Sequence, residues 1–359
     1  MALCTAFAAA GPMAGAAAPS SGVAWLAAAT DADVERAFRQ ARSERKPLLL
    51  YWGASWCPPC NQLKATLFNR QDFIERSRSF VAVGIDGDGP GAQKLGARFK
   101  VVGYPTMILF NAAGLEVTRL PGEADAPQVM HALHLGLSGG RPVKAVLAGA
   151  RSGKALSADE WRMLAFYSWE TDEEQLVARA DRSRLLASLA AASSSGDAGT
   201  TTRLRLKALA ANEDGKGFGP DAVLRWRIRD VLADPAAARS HMDVLTNGAA
   251  NIVKALAPKS GPERASLVAT FDTALQRLAA DTTLSRADRI GALQARVDLA
   301  RLDQPKDVGK PKLPAALLDA VREHTGRVDR EISDGYERQA VITAAAHVLG
   351  EAGLWKESD

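Results

Sequence analysis

Cysteine is almost missing from this 359-residue chain, which has only Cys4, Cys57 and Cys60. So few thiols exclude a multiply disulfide-bonded scaffold. They also exclude a cysteine-rich zinc site, because no second C-x-x-C exists and no histidine lies close to the pair at 57 and 60. His131 and His134 can share a helix face, but they read as solvent-facing or core histidines rather than metal ligands. Aromatic residues make up 6% of the chain against 47% hydrophobic in total, so alanine carries much of the apolar content and favours helix. An excess of one charge sign is lacking too: 45 Lys and Arg offset 41 Asp and Glu, with no block of either. A nucleic-acid surface, which needs a basic patch or stripe, is therefore not expected. Nor is a membrane span, since no apolar run reaches the roughly 20 residues it requires. No cofactor-binding motif emerges, and neither a cofactor nor a metal is expected.

The first twenty residues form a leader-like segment: small, apolar, uncharged, and offering A-x-A at Ala14–Ala16 and Ala16–Ala18. That is how the cleavage end of a secretory signal reads, although the positively charged start is missing. Cleavage would remove Cys4 and leave Cys57 and Cys60 as the only thiols, which suits an oxidising compartment.

Thr30 and Asp33 form a capping pair ahead of a helix that stops at Lys46-Pro47. Pro47–Trp52 is a continuous apolar run, the pattern of a strand buried on both faces. Helical character follows over residues 60–68, then a strand at Phe80–Ile85 and a helix at Ala92–Phe99. A hairpin of Thr106–Phe110 and Leu115–Leu120 precedes a helix over 125–137. Strands joined by helices imply a parallel sheet, with the hairpin as an antiparallel edge. The Gly/Pro stretch Ser138–Pro142 marks a boundary. Beyond it no strand is expected, and capping pairs recur at Ser157/Glu160, Thr171/Glu174 and Ser285/Asp288. Helices are predicted over 157–170, 172–191, 203–212, 220–233, 236–246, 262–280, 286–302, 314–324 and 337–350. The division is thus a segment over 1–20, an α/β domain over 21–139, and an all-helical domain over 140–359. The last is solenoid-like with a break near 193–202, and should fold apart from the first domain.

The chemistry points to Cys57-Pro58-Pro59-Cys60. A cysteine that follows a strand and opens a helix meets free N–H groups and the positive end of the helix dipole, and both favour its thiolate. Cys57 is expected to be the exposed nucleophile, and Cys60, one turn inside, the resolving thiol.

Tyr51–Cys60 (YWGASWCPPC) resembles the active-site segment of the thioredoxin superfamily. Val102–Thr106 (VGYPT) resembles its cis-proline loop, Gly122 falls at the family's usual glycine, and Leu63–Phe73 is similar to the secreted branch typified by the C-terminal domain of DsbD. The resemblance covers about residues 30–138. It implies an α/β thioredoxin-like fold, a cis Pro105 beside the sulfurs, a Tyr104 backbone that pairs with substrate, and a Trp56 that covers the disulfide. One position departs from the family, which usually carries a buried Asp where this chain has Tyr51. A phenol, with an ordinary pKa of about 10, is a poor proton acceptor for Cys60.

These features lead to an expected thiol–disulfide oxidoreductase of the cell envelope, periplasmic or otherwise exported, acting as a reductase. Its partners would be disulfide-containing or dithiol proteins and a redox partner that recycles the pair. The alternative is an interaction protein whose thioredoxin-like module docks partners that the helical region scaffolds.

Overall fold

The computed structural model describes residues 22–122, 124–172, 174–193, 197–212, 222–305, 311–326, 332–354 and 356. The leader-like segment and Cys4 lie outside these residues.

The sheet is built around β2 (Leu48–Gly53), which is buried along its whole length. Its side chains alternate between two cores: Leu48, Leu50 and Trp52 pack on one face, Leu49 and Tyr51 on the other. This explains the continuous apolar run, since a strand covered on both faces has no polar side. β3 (Val81–Asp86) runs parallel to β2, and the two-residue β1 (Leu26–Ala27) pairs parallel to β3. β4 (Thr106–Phe110) lies antiparallel on the other side of β2, and β5 (Glu116–Leu120) antiparallel at the edge. The strand order is β1-β3-β2-β4-β5.

α1 (Asp31–Glu44) opens on the predicted capping box, in which Thr30 and Asp33 satisfy each other's backbone N–H groups. Its Val34, Phe38 and Ala41 share a core with Leu95 of α4 (Ala92–Phe99). The opposite face is covered by α2 (Pro58–Leu63), a π-helical turn (Lys64–Phe68), α3 (Gln71–Ser77) and α5 (Ala126–Leu137).

After α5 the described chain holds only helices, apart from an isolated bridge at Asp172. α6 (Val143–Arg151), α7 (Ala158–Phe166), α8 (Arg179–Ala192) and α9 (Ala198–Ala210) come first. α10 (Ala222–Ala233), α11 (Pro235–Ser240), α12 (Met242–Leu256) and α13 (Pro262–Ala280) follow, then α14 (Arg286–Arg301), α15 (Ala315–Thr325) and α16 (Gly335–Glu351). The turn at 138–142 separates two helices, but the apolar core continues across it: Leu49, Val129 and Leu133 pack in one cluster with Val146, Trp161, Leu186 and Leu204. α9 links that cluster to the second core, since Leu206 and Leu209 pack with Ile252, Phe271, Leu293 and Leu349.

Several predicted helices differ in their ends, each for a local reason. The helix expected from 172 begins at Arg179, because the Thr171/Glu174 box does not form. Glu174 adopts φ 51° and its carboxylate accepts the Arg179 N–H at 2.9 Å. Residues 168–172 are instead tied to the sheet edge: Arg119, fully buried on β5, donates to the Thr171 carbonyl at 3.0 Å, and Ser168 N–H bonds the Arg119 carbonyl at 3.1 Å. The break near 193–202 is narrower than expected, because Asp197 caps α9 through the Gly199 and Thr200 N–H groups. The helix expected over 236–246 is two helices that meet at His241. No helix among the described residues is long and apolar enough to cross a membrane.

Candidate active site

β2 ends at Gly53, and a turn through Ala54–Trp56 delivers Cys57 to the N-cap of α2. Buried Asn61 pins that turn by donating to the Ser55 carbonyl at 2.8 Å. Cys57 and Cys60 are joined in a disulfide, with S–S 2.01 Å and Cα–Cα 5.2 Å. The Cys60 N–H donates to Cys57 Sγ at 3.2 Å, the contact a capping side chain makes. Pro58 and Pro59, at the first two helical positions, have no N–H to offer. The expectation of an exposed Cys57 is corrected here. It keeps only 3% of its surface because Ala54 and Tyr104 pack around the sulfurs, although it lines a cavity of about 560 Å³ between α2, α4 and the loop before β4. Cys60 is fully buried.

The Tyr104–Pro105 peptide bond is cis. Gly122 is required opposite it, since a Cβ there would sit 2.6 Å from Pro105 Cγ. Tyr104 is half-buried, packs against Cys57 and Cys60, and donates its hydroxyl to the Gly87 carbonyl at 3.0 Å. Burial raises its phenol pKa, and the carboxylates of Asp88 and Asp86 add to the effect. Trp56 is 58% exposed rather than closed over the disulfide. Its indole N–H is held by Asp88 at 2.7 Å, and its ring meets Tyr104 edge-on at 6.3 Å.

Behind the turn, Tyr51 is buried against Trp25 and Phe68. Its hydroxyl has no hydrogen-bond partner among the described residues. Gly53 leaves room for it, because a Cβ there would lie 2.2 Å from the phenol oxygen. Burial pushes the phenol far up, and Tyr336 pushes it further. Tyr51 therefore cannot accept the Cys60 proton near neutral pH. No group of three or more His, Cys, Asp or Glu that could hold a metal is present among the described residues.

No local pattern announces what lies on the other side of α2. Gln62 donates to Ser285 Oγ at 3.3 Å and to the Asp288 carboxylate, α16 packs along α2, and Lys64 Nζ stands 4.9 Å from the Tyr336 ring. Gln128 reaches the Ser240 carbonyl, and Arg239 pairs with Asp125, the N-cap of α5. Asp88, Gln62 and Lys64 were all missed, since each acts through a partner remote in sequence or through side-chain packing that no local pattern announces.

Residues 34–136 match the family model of the thioredoxin-like domain and form such a domain. Over 116 residues the chain is 31% identical to the thiol:disulfide interchange protein DsbD of Cronobacter sakazakii, covering 31% of this chain and 20% of that protein. It is 29% identical over 107 residues to DsbD 2 of Pseudomonas aeruginosa, 29% of this chain and 18% of that one. The chain thus spans about a fifth of the length of these curated relatives. Among solved structures, a putative disulphide-isomerase from Bacteroides thetaiotaomicron matches at 27% identity and TM-score 0.29, over 33% of this chain and 97% of that one. A structure titled DsbH oxidoreductase matches at 17% identity and TM-score 0.29, over 36% and 96%.

Proposed function

We propose that this protein is a thiol–disulfide oxidoreductase that reduces disulfides in protein substrates through Cys57 and Cys60. The observation that carries the reading is the bonded pair at a helix N-cap beside a cis-proline loop. In the reduced pair, the Cys57 thiolate attacks a substrate disulfide, and the first substrate sulfur leaves as a thiolate that takes a proton from water. Cys60 then gives up its proton and attacks Cys57 Sγ, which releases the second substrate sulfur. The substrate gains two electrons and two protons, and the pair ends as the disulfide seen here. A dithiol redox partner returns the electrons. Pro105, without an N–H, and the Tyr104 backbone are the surfaces on which the substrate strand would lie, with Trp56 at its rim. Because Tyr51 is no base, the Cys60 proton passes to water or to the departing substrate thiolate.

The reductive direction is supported by Pro59, which leaves the second helical position of α2 without an N–H. A pair becomes oxidising when its thiolate, and so its reduced form, is stabilised. Among the described residues only the Cys60 N–H donates to Cys57 Sγ, while Asp88 brings negative charge to the adjoining Trp56. Thiolate stabilisation is therefore weak, and the disulfide form is favoured. An exported location, in a periplasm or similar envelope compartment, is supported by the leader-like segment and by the absence of any thiol beyond Cys60. The DsbD relatives are thiol:disulfide interchange proteins, which agrees with this reading.

The test is the equilibrium potential of the Cys57–Cys60 pair against glutathione. A value near about −270 mV, as in thioredoxin, supports the reductase, and one near about −120 mV reverses its direction. Cys57→Ser separates the enzyme from the adaptor reading, since binding of a partner by the helical region would survive it and turnover would not.

A further inference from the structure

We propose that α12 forms the far wall of the substrate cleft, and that this cleft takes an extended polypeptide segment carrying the disulfide to be reduced. The inference rests on the reading of Cys57–Cys60 as the exchange site. Two cavities adjoin the N-terminal end of α2, and another adjoins the cis-proline loop beside it. The one that Cys57 lines shares Tyr104 with a second, of about 220 Å³, and Pro58 and Pro59 with a third, of about 370 Å³. In the second, Pro105 and Gly122 face α12 across the gap; in the third, Pro58 and Pro59 face the same helix and α14. Asn247 lines both and stands where they adjoin. The exit paths on either side of the disulfide are therefore bounded by one helix, more than 100 residues beyond the end of the thioredoxin-like match.

Size and charge indicate the occupant. Each flanking cavity has room for a few side chains but not for the surface of a folded partner, so the chain that reaches Cys57 must be locally unfolded. The cavities continue in sequence around the helix end, a longer path than a small thiol such as glutathione would use. The wall beneath Pro105 carries two acids, Glu170 and Asp243, and two bases, Arg182 and Lys207. Lys207 is paired to Glu170 at 2.9 Å, and Asp243 is held by Arg203. A wall so balanced selects by shape and backbone rather than by the charge of the peptide. The wall is also fixed in place, because Gln62 joins α2 to the start of α14, and Arg239 ties the segment before α12 to Asp125.

The experiment uses the full chain in reduced form and measures second-order rate constants with two probes. One is a synthetic unstructured peptide of about a dozen residues with an internal disulfide, the other oxidised glutathione. Two variants narrow the cleft: Asn247→Trp, at an exposed position on α12, and Gly291→Phe, on α14 in the wall of the third cavity, where an added Cβ meets nothing within 4 Å. The ratio of the peptide rate constant to the glutathione rate constant should fall roughly tenfold in each variant, the effect of losing about one good contact. A ratio within about twofold of the parent in both would overturn the inference. A fall in both rate constants by one factor would also overturn it, since the cleft would then serve a small disulfide equally. If the parent protein reduces neither probe, the exchange reading itself fails.

Discussion

Replacing Pro59 by Ala should make Cys57 a stronger acid and the pair more oxidising. A capping side chain accepts hydrogen bonds from the N–H at the second or third helical position. In α2 the third is Cys60, which donates at 3.2 Å, and the second is Pro59, which cannot donate. Alanine restores that donor without a new side chain to accommodate. A hydrogen bond to a charged acceptor contributes about 1.5–3 kcal/mol, and the low end applies where solvent is near. At about 1.4 kcal/mol per tenfold, the Cys57 pKa should drop by about one. The same free energy corresponds to about 30 mV in potential, fully expressed only where Cys57 is ionised in both proteins and smaller at pH 7. Iodoacetamide alkylation of the reduced protein between about pH 4 and 10 reads the pKa, with label on Cys57, which lines the cavity, rather than on Cys60. Glutathione equilibria at pH 7 and 9 read the potential. Pro58→Ala is the control, because an N–H at the first helical position does not reach the cap side chain and should change little. A Cys57 pKa unmoved by Pro59→Ala, or moved equally by Pro58→Ala, would refute the account of Pro59.

His241, at the junction of α11 and α12, is buried, and desolvation with the nearby Arg203 charge lowers its pKa to about 4. The unfolded chain protonates it near about 6.5, so its contribution is intact above that pH and is lost as pH falls towards 4, up to about 3 kcal/mol. Urea unfolding of the wild type should steepen its loss over that window and His241→Phe should flatten it; parallel profiles would count against the burial argument. Asp243→Ala should cost about 3–5 kcal/mol, because it leaves the fully buried Arg203 guanidinium without its carboxylate. The double variant with Arg203→Leu should recover most of that loss, and a double variant as unstable as the single would show that the charge was never the issue.

Local signals served the sheet better than they served the helices. Leu48–Trp52 could be read because burial on both faces leaves an unbroken apolar string, and Thr30/Asp33 because a capping box is closed within four residues. β1 was not read: Leu26 and Ala27 are two residues whose strand character comes entirely from β3 beside them. α3 and α6 were not read either, since neither has a side-chain cap, and α6 follows a proline that counts as a breaker when seen alone. Thr171/Glu174 misled for the opposite reason. Its pattern is a good box, but Arg119 on a distant strand holds the Thr171 carbonyl, and that tertiary bond decides the backbone.

The same distinction applies to the site. Cys57, Cys60 and Pro105 lie in two short motifs whose chemistry is contained in adjacent residues. Asp88 lies 32 residues from the indole it holds, Ser285 lies 223 from Gln62, and Asn247 has no motif at all. What places these groups is the shared core. The core on the sheet face that bears Leu49 and Tyr51 runs through α5 and continues, as one apolar cluster, into α6 to α9. A thioredoxin-like domain cut at residue 139 would therefore expose Val129 and Leu133, whose partners lie beyond the cut, to water. The helical region continues a core that the first domain begins. Its position at α2 follows from that continuity, which is why a sequence boundary rich in glycine and proline conveys so little about where the active site ends.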